Sequence, residues 1–185
     1  MNLKEDARAV LLHNQVQSRG HRYTRPAPMT YEHQWLLGSR EGPDAGMVPR
    51  MGCFDGSGAA LWGRPHASTI TQPPITPDAV LAVYRATGDL GFVQEVLPAL
   101  AAYYDWFVRR RDPDGDGLVS LIHPWEAGWD SSPRWDHYTG ADPGDDEGLK
   151  RWRHGLVAKI ATLGYEVAAI EAARYALETV DFNSL

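Results

Sequence analysis

The stretch FVQEVLPALAAYYDWFVRRR, residues 92–111, decides the fold class. Phe92, Val93, Val96, Leu97, Leu100, Ala101, Tyr104, Phe107 and Val108 recur three and four residues apart, the rhythm of a helix and not the alternation of a strand. The segment ends before Asp112, and Pro98 is expected to kink or divide it, because proline lacks the N–H that the helix ladder needs. Upstream, Thr76 before Pro77 and Asp78 predicts an N-cap and a first turn, with Val80, Val83 and Tyr84 forming the inner face until Gly88. Downstream of Glu147, the residues Leu149, Trp152, Leu156, Ile160, Leu163, Val167, Ile170 and Leu177 keep the same rhythm, as two helices parted near residues 162–164. Leu3, Ala7, Val10, Leu11 and Asn14 predict an opening helix that stops by Gly20. No segment alternates like a strand, so the class is all-α: about five helices joined by long loops.

Those loops agree with the composition. Gly and Pro number 18 and 13 among 185 residues, high for a plain helical bundle, and they gather in residues 21–77 and 112–146. The length predicts a single domain over residues 1–185. A net charge of −6 with no basic run longer than Arg109, Arg110 and Arg111 excludes the electrostatic footprint of a nucleic-acid binder. The first residues carry Lys4, Glu5, Asp6 and Arg8 in place of an apolar signal core, and no apolar run approaches the ~18 residues of a membrane span. A cytoplasmic protein is expected. One cysteine, Cys53, excludes an internal disulfide and a multi-cysteine zinc site, and reads as a small buried hydrophobe. No cofactor motif is present.

Two loop segments could carry chemistry. Asp112-Pro113-Asp114-Gly115-Asp116-Gly117 imitates the start of a calcium loop, but the twelfth position is His123 where a bidentate Glu is needed. The alternative is an Asp/Gly-rich turn that closes a helix. In residues 123–136, HPWEAGWDSSPRWD, the carboxylates Glu126, Asp130 and Asp136 sit among Trp125, Trp129 and Trp135, and prolines and glycines keep the segment out of a long helix. Indole faces stack on sugar rings, carboxylates bind hydroxyls, and an apolar surround disfavours a charged carboxyl, which suits a proton donor. Equally, such a loop could be packed by its tryptophans, with the acids paired to Arg134 or capping the next helix.

The run Trp125-Glu126-x-Gly128-x-Asp130-x-Ser132-Pro133-Arg134-Trp135-Asp136 resembles the signature of glycoside hydrolase family 63, in its bacterial branch similar to mannosylglycerate hydrolase. Tyr23-Thr24, Pro26-Ala27, Tyr31-x-His33-Gln34-Trp35, residues 46–49 (GMVP), 71–74 (TQPP), 112–118 and 182–185 (FNSL) resemble the family's other motifs in the same order. The resemblance implies an (α/α)6 toroid and an inverting glycosidase acting on a small carbohydrate of the mannosyl- or glucosylglycerate type. It implies that Asp130 is the general acid, and that Trp125, Glu126, Trp129 and Asp136 line the sugar site together with Gln72, Tyr31, His33, Gln34 and Trp35.

Two departures bound this reading. After Leu36 the family's Trp-Asp-Ser-Cys-Phe stretch is missing, and with it an aspartate that would touch the sugar. The family's catalytic base has no counterpart in these residues, and Glu126 lies too near Asp130 to serve across the gap of ~6.5–9.5 Å that an inverting water needs. Twelve helices of ~11–12 residues with connections of ~4–6 require on the order of 200 residues, so the expected fold is an incomplete toroid. Apolar surface left bare by the missing helices predicts self-association. The other reading is a truncated, non-catalytic remnant that at most binds sugar or a partner chain.

Overall fold

A computed structural model describes residues 42–51, 58–65, 67–140 and 144–184. The expected helix over residues 3–16, Cys53, and the site candidates Tyr31, His33, Gln34 and Trp35 lie outside the described residues.

The described part is mostly helical, as the periodicity predicts. Its helices are α1 (Gly58–Trp62), α2 (Thr76–Thr87), α3 (Leu90–Arg111), α4 (Asp136–Thr139), α5 (Asp146–Thr162), α6 (Val167–Ala172) and α7 (Val180–Asn183). Two short 3-10 turns, Pro124–Ala127 and Pro133–Trp135, interrupt the loop before α4. The alternation test missed one small feature: β1 (Ser120–Leu121) pairs antiparallel with β2 (Leu177–Glu178), Ser120 opposite Glu178. Two residues are too few to alternate. None of the described helices is long and apolar enough to cross a membrane.

Three expectations about the helices need correction. Ile75, not Thr76, occupies the N-cap position of α2, without a side-chain cap, and Thr76 is already helical. The helix closes on Gly88 in the left-handed conformation, φ 68°, as expected. Pro98 neither divides nor ends α3, which runs unbroken for 22 residues. The residue is exposed, and so is Gln94, whose carbonyl loses its helical partner there and can turn to water instead. The apolar face of α3 is also wider than the face it buries. Val96, Leu100, Tyr103, Trp106 and Phe107 point inward, whereas Leu97, Tyr104 and Val108 are exposed. On α2 only Val80 is buried, and Val83 and Tyr84 are not.

Two apolar clusters hold the rest. One gathers Tyr103, Trp106 and Phe107 of α3 with Met47, Val48, Leu121, Trp135, Leu149 and Phe182. The other joins Trp62 of α1, Ile70 and Ile122 to Leu156, Val157 and Ile160 of α5 and to Val167 and Ile170 of α6. Helix α5 contributes to both and is their shared wall. Its start is fixed by Asp145, whose carboxylate accepts from the Gly148 N–H at 2.8 Å, and its end near residue 162 matches the predicted break.

The loop of residues 42–51 reaches α3 closely at Gly46, where φ is +94° and a Cβ would lie 2.1 Å from the Ala102 carbonyl oxygen. Only glycine fits there. From that point Pro49 bridges to Thr71, and the Thr71 hydroxyl donates to the Val48 carbonyl at 2.8 Å. Residues 46–49 and 71–74, separated in sequence, therefore form one ledge beside α3.

Candidate active site

The loop between β1 and α4 is pinned from inside by Glu126. Its side chain is 0% exposed. One carboxylate oxygen accepts from Arg111 at 2.6 Å and from the Thr71 N–H at 3.0 Å, and the other accepts from the Ile122 N–H at 2.9 Å. Both oxygens are thus paired within the protein. The expectation that Glu126 lines a sugar site is corrected: the residue ties the end of α3, the 71–74 segment and the 122–127 turn together. A buried carboxylate needs such a full set of partners, because desolvation otherwise outweighs its attractions. Gly128, at φ 71°, packs against Pro73, where an added Cβ would stand 3.3 Å from Cγ. The two motif segments therefore touch at their tips.

Outside this buried tie stands Trp125. It is half-buried, edge-on to Trp62 at 5.9 Å between ring centres and to His154 at 5.4 Å, and tilted over His123 at 4.5 Å. The Arg50 guanidinium lies 5.9 Å from its ring centre and donates to its carbonyl. Gln72 donates from Nε2 to the Arg50 carbonyl at 2.9 Å, which ties that site candidate to the same ledge. Burial pulls the Arg50 pKa below the ordinary arginine range, against the opposing pull of Asp130 and Glu126.

Asp130 opens the turn after Trp129. Its side chain is 34% exposed, and its Oδ2 lies 3.3 Å from Nη1 of Arg153, which also donates to the Asp130 carbonyl at 2.9 Å. The expected surround of indoles is replaced on this side by a guanidinium from α5. Trp129 is 63% exposed, with the Arg134 guanidinium 5.4 Å from its ring centre. Trp135 is buried instead, its indole N–H donating to the Trp129 carbonyl at 2.9 Å. Asp136 is half-buried at the start of α4. Arg134 does not pair with the loop acids: it binds Asp181 at 2.7 Å, and that contact holds the Asp181 carboxyl below its ordinary range.

One residue fastens both ends of this loop. The Arg153 carbonyl accepts from His123 Nε2 at 2.9 Å, while its guanidinium holds Asp130 and the Ser131 hydroxyl. The other His123 nitrogen, Nδ1, accepts from the Trp125 N–H at 3.1 Å. Accepting at Nδ1 and donating at Nε2 is the pattern of neutral imidazole. Burial lowers the His123 pKa from 6.5 to about 4, in agreement with that geometry.

Arg50 and Arg153 are parts of this arrangement that the sequence did not mark, and His123 was marked only as a member of the 123–136 segment and not for its tie to α5. The partners of Arg50 and Arg153 lie 20 to 80 positions away, so no local pattern signals them, and His123, bonded to the nearby Trp125 N–H, is tied down only through the distant Arg153 carbonyl. In the Asp112–Asp116 segment the carboxylates accept from N–H groups of their own turn. Asp112 accepts from the N–H groups of Gly115 at 2.8 Å and Gly117 at 3.2 Å, and Asp116 accepts from that of Leu118 at 2.8 Å. One oxygen from each of Asp112, Asp114 and Asp116 lies within 4.8 Å of the others.

A loop of tryptophans and carboxylates at the joint of several helices is the kind of site a carbohydrate-cleaving enzyme uses, and the comparisons define the class. Residues 16–185 match the mannosylglycerate hydrolase MGH1-like glycoside hydrolase domain, and the chain belongs to that family. It is 34% identical over 160 residues to mannosylglycerate hydrolase MGH2 of Selaginella moellendorffii, covering 67% of this chain and 33% of that protein. It is likewise 34% identical over 161 residues to mannosylglycerate hydrolase of Thermus thermophilus, covering 66% and 38%. Among solved structures, the family 63 mannosylglycerate hydrolase of Thermus thermophilus bound to Tris and D-glycerate superposes with a TM-score of 0.64 at 27% identity, over 83% of this chain and 45% of that one. The chain thus spans a third to about half the length of the relatives it matches.

Proposed function

We propose that this chain carries the proton-donor side of an inverting α-glycosidase site built on part of an (α/α)6 toroid, as a single domain of a cytoplasmic protein. Asp130 is the general acid in this reading. It hands a proton to the glycosidic oxygen while a general base on the opposite face of the sugar activates water; that base is not among the residues assigned here. Trp125 and Trp129 offer ring faces for stacking, and Gln72 and Asp136 offer polar groups to hydroxyls. Tyr31, His33, Gln34 and Trp35 enter by resemblance alone. The substrate is a small carbohydrate of the mannosyl- or glucosylglycerate type, and the guanidiniums of Arg50 and Arg153 beside Trp125 and Asp130 suit a carboxylate-bearing aglycone.

The observation that carries the reading is the Asp130 carboxylate itself: partly open, next to the exposed Trp129, and held at a fixed place by Arg153. Purified chain incubated with mannosylglycerate or glucosylglycerate and azide, a nucleophile that needs no general base, should release the aglycone, and Asp130→Asn should lower that rate by at least ~100-fold, the low end of what a positioned acid contributes. Unchanged release in the variant removes Asp130 from the role.

The share of the relatives' length that is matched, 33% to 38% in the plant and Thermus enzymes, favours a second reading: a sugar-binding piece without turnover. Quenching of tryptophan fluorescence by the substrate, with no sugar released, is its signature.

A further inference from the structure

Two arginines hold carboxylates of the loop, and they hold them in different ways. Arg111 and Glu126 are closed off together, both side chains buried and 2.6 Å apart, so neither can leave without stranding a charge. Arg153 meets Asp130 more loosely. A single nitrogen, Nη1, serves the Asp130 carbonyl at 2.9 Å, its Oδ2 at 3.3 Å and the Ser131 hydroxyl at 3.3 Å. The buried Nε has no partner among the described residues, and the two-pronged grip that a guanidinium can give a carboxylate is not used. The short bond goes to the backbone and the long one to the charged oxygen, so the guanidinium stays anchored if Oδ2 leaves it. Both groups keep an open side, 13% of the side chain for Arg153 and 34% for Asp130.

A proton donor beside a cation meets a conflict of sign. A neighbouring cation favours the charged form of a carboxyl, whereas a glycosidic oxygen needs the protonated form. Arg153 stands in that place, and Arg50 lies near enough to feel the charges of both Asp130 and Arg153. The other charged and titratable neighbours are spoken for: Glu126 by Arg111, Arg134 by Asp181, His123 at both ring nitrogens, and His154 against the edge of Trp125. We propose that the Arg153–Asp130 contact is exchangeable: the carboxylate of an anionic aglycone takes over the guanidinium, and Asp130 binds a proton as the substrate enters. This rests on the reading above of Asp130 as the acid and of the aglycone as a carboxylate. The incoming anion removes the cation's hold and also disfavours a second negative charge beside it, so both changes act in one direction. No covalent bond of the substrate changes in this step; one proton passes from solvent to an Asp130 oxygen. A neutral aglycone leaves Arg153 on Asp130 and the acid unloaded, so the same contact selects against uncharged substrates.

Calorimetric titration of D-glycerate into the purified full chain at about pH 6, in buffers of different ionisation enthalpy, counts the protons bound with the ligand. A free carboxyl is already ionised at that pH, so any proton taken up goes to the protein. Roughly half a proton or more should be bound per glycerate. Asp130→Asn should still bind glycerate, with no proton taken up and several-fold more tightly, because a competing carboxylate is gone. Arg153→Met keeps the backbone carbonyl that His123 uses, and it should weaken glycerate binding by at least ~10-fold with an unchanged circular dichroism spectrum. Glycerol, without the charge, should cause no proton uptake. Glycerate binding without proton uptake overturns the exchange while leaving the carboxylate aglycone standing. Uptake that survives Asp130→Asn puts the proton on another group and overturns it as well, as does full-strength binding by Arg153→Met. If D-glycerate does not bind at all, the carboxylate-bearing aglycone itself falls, and the exchange with it.

Discussion

The loop of residues 122–131 and the outer face of α2 and α3 are held in opposite ways. The loop is irregular, yet buried polar ties fix nearly every turn of it: Glu126 to Arg111, Thr71 and Ile122, His123 to Trp125 and Arg153, and Arg153 to Asp130. The helices are regular, yet among the described residues α2 buries only Val80 and one side of α3 is exposed. Regular backbone is therefore no guide to where the chain is well determined. Position in the loop is set by groups that cannot be moved without leaving a buried charge or N–H unpaired, whereas the outer helix face bears side chains whose loss removes few contacts.

The largest expected effect lies in the loop. Glu126→Ala strands the Arg111 guanidinium, which is 2% exposed, and removes the acceptor for two backbone N–H groups; it should lower unfolding stability by about 3–5 kcal/mol in urea titration. Glu126→Leu combined with Arg111→Met should recover part of that loss, because neither buried charge then remains while the Thr71 and Ile122 N–H groups stay unpaired. A loss below ~1 kcal/mol for Glu126→Ala would show that the loop is no better anchored than a surface loop, and the contrast would disappear.

A second effect follows from His123. Its folded-state value of about 4 lies below the 6.5 of the unfolded chain, so as pH falls the unfolded chain takes up the proton first. Stability is complete above about pH 6.5 and declines as pH drops toward 4, by up to about 3 kcal/mol. Thermal unfolding between pH 7 and 4 should show this slope, and His123→Asn should flatten it. In the folded chain protonation puts a second N–H at Nδ1, facing the Trp125 N–H that it now accepts from, so intrinsic tryptophan fluorescence should hold steady down the slope and shift only near pH 4.

What could be read in the sequence divides along the same line. The rhythm of residues 92–108 and 149–170 gave the helices and the break near residue 162, because a covered apolar stripe leaves a local, periodic trace. The motif at residues 125–136 marked the loop that carries the candidate site and the family it belongs to. Three things left no such trace. Pro98 passes through α3 because it stands on the exposed side, which spacing alone does not report. Leu97, Tyr104 and Val108 have the same hydrophobicity and rhythm as Leu100 and Phe107, so the pattern cannot separate the covered half of the stripe from the bare one. Glu126 reads as a ligand-binding acid, and only the fold brings Arg111, Thr71 and Ile122 to it. Arg50 and Arg153 are unremarkable basic residues until the ledge and α5 set them beside Trp125 and Asp130.

The smallest expected effect tests the outer face. Val83 of α2 is exposed, and α2 buries only Val80 among its twelve residues, too little for a helix of that length to gain much from packing. Val83→Ala removes a β-branched residue from an exposed helical position and installs the best helix former. Lost burial there is slight, so the variant should match the parent chain or exceed it by up to ~0.5 kcal/mol in urea titration. The same truncation at a covered position removes packing that nothing replaces: Leu100→Ala, at a residue 6% exposed, should cost about 2–5 kcal/mol. If Val83→Ala costs as much as ~1 kcal/mol, then α2 packs against something that covers it, and the two regions are held alike after all.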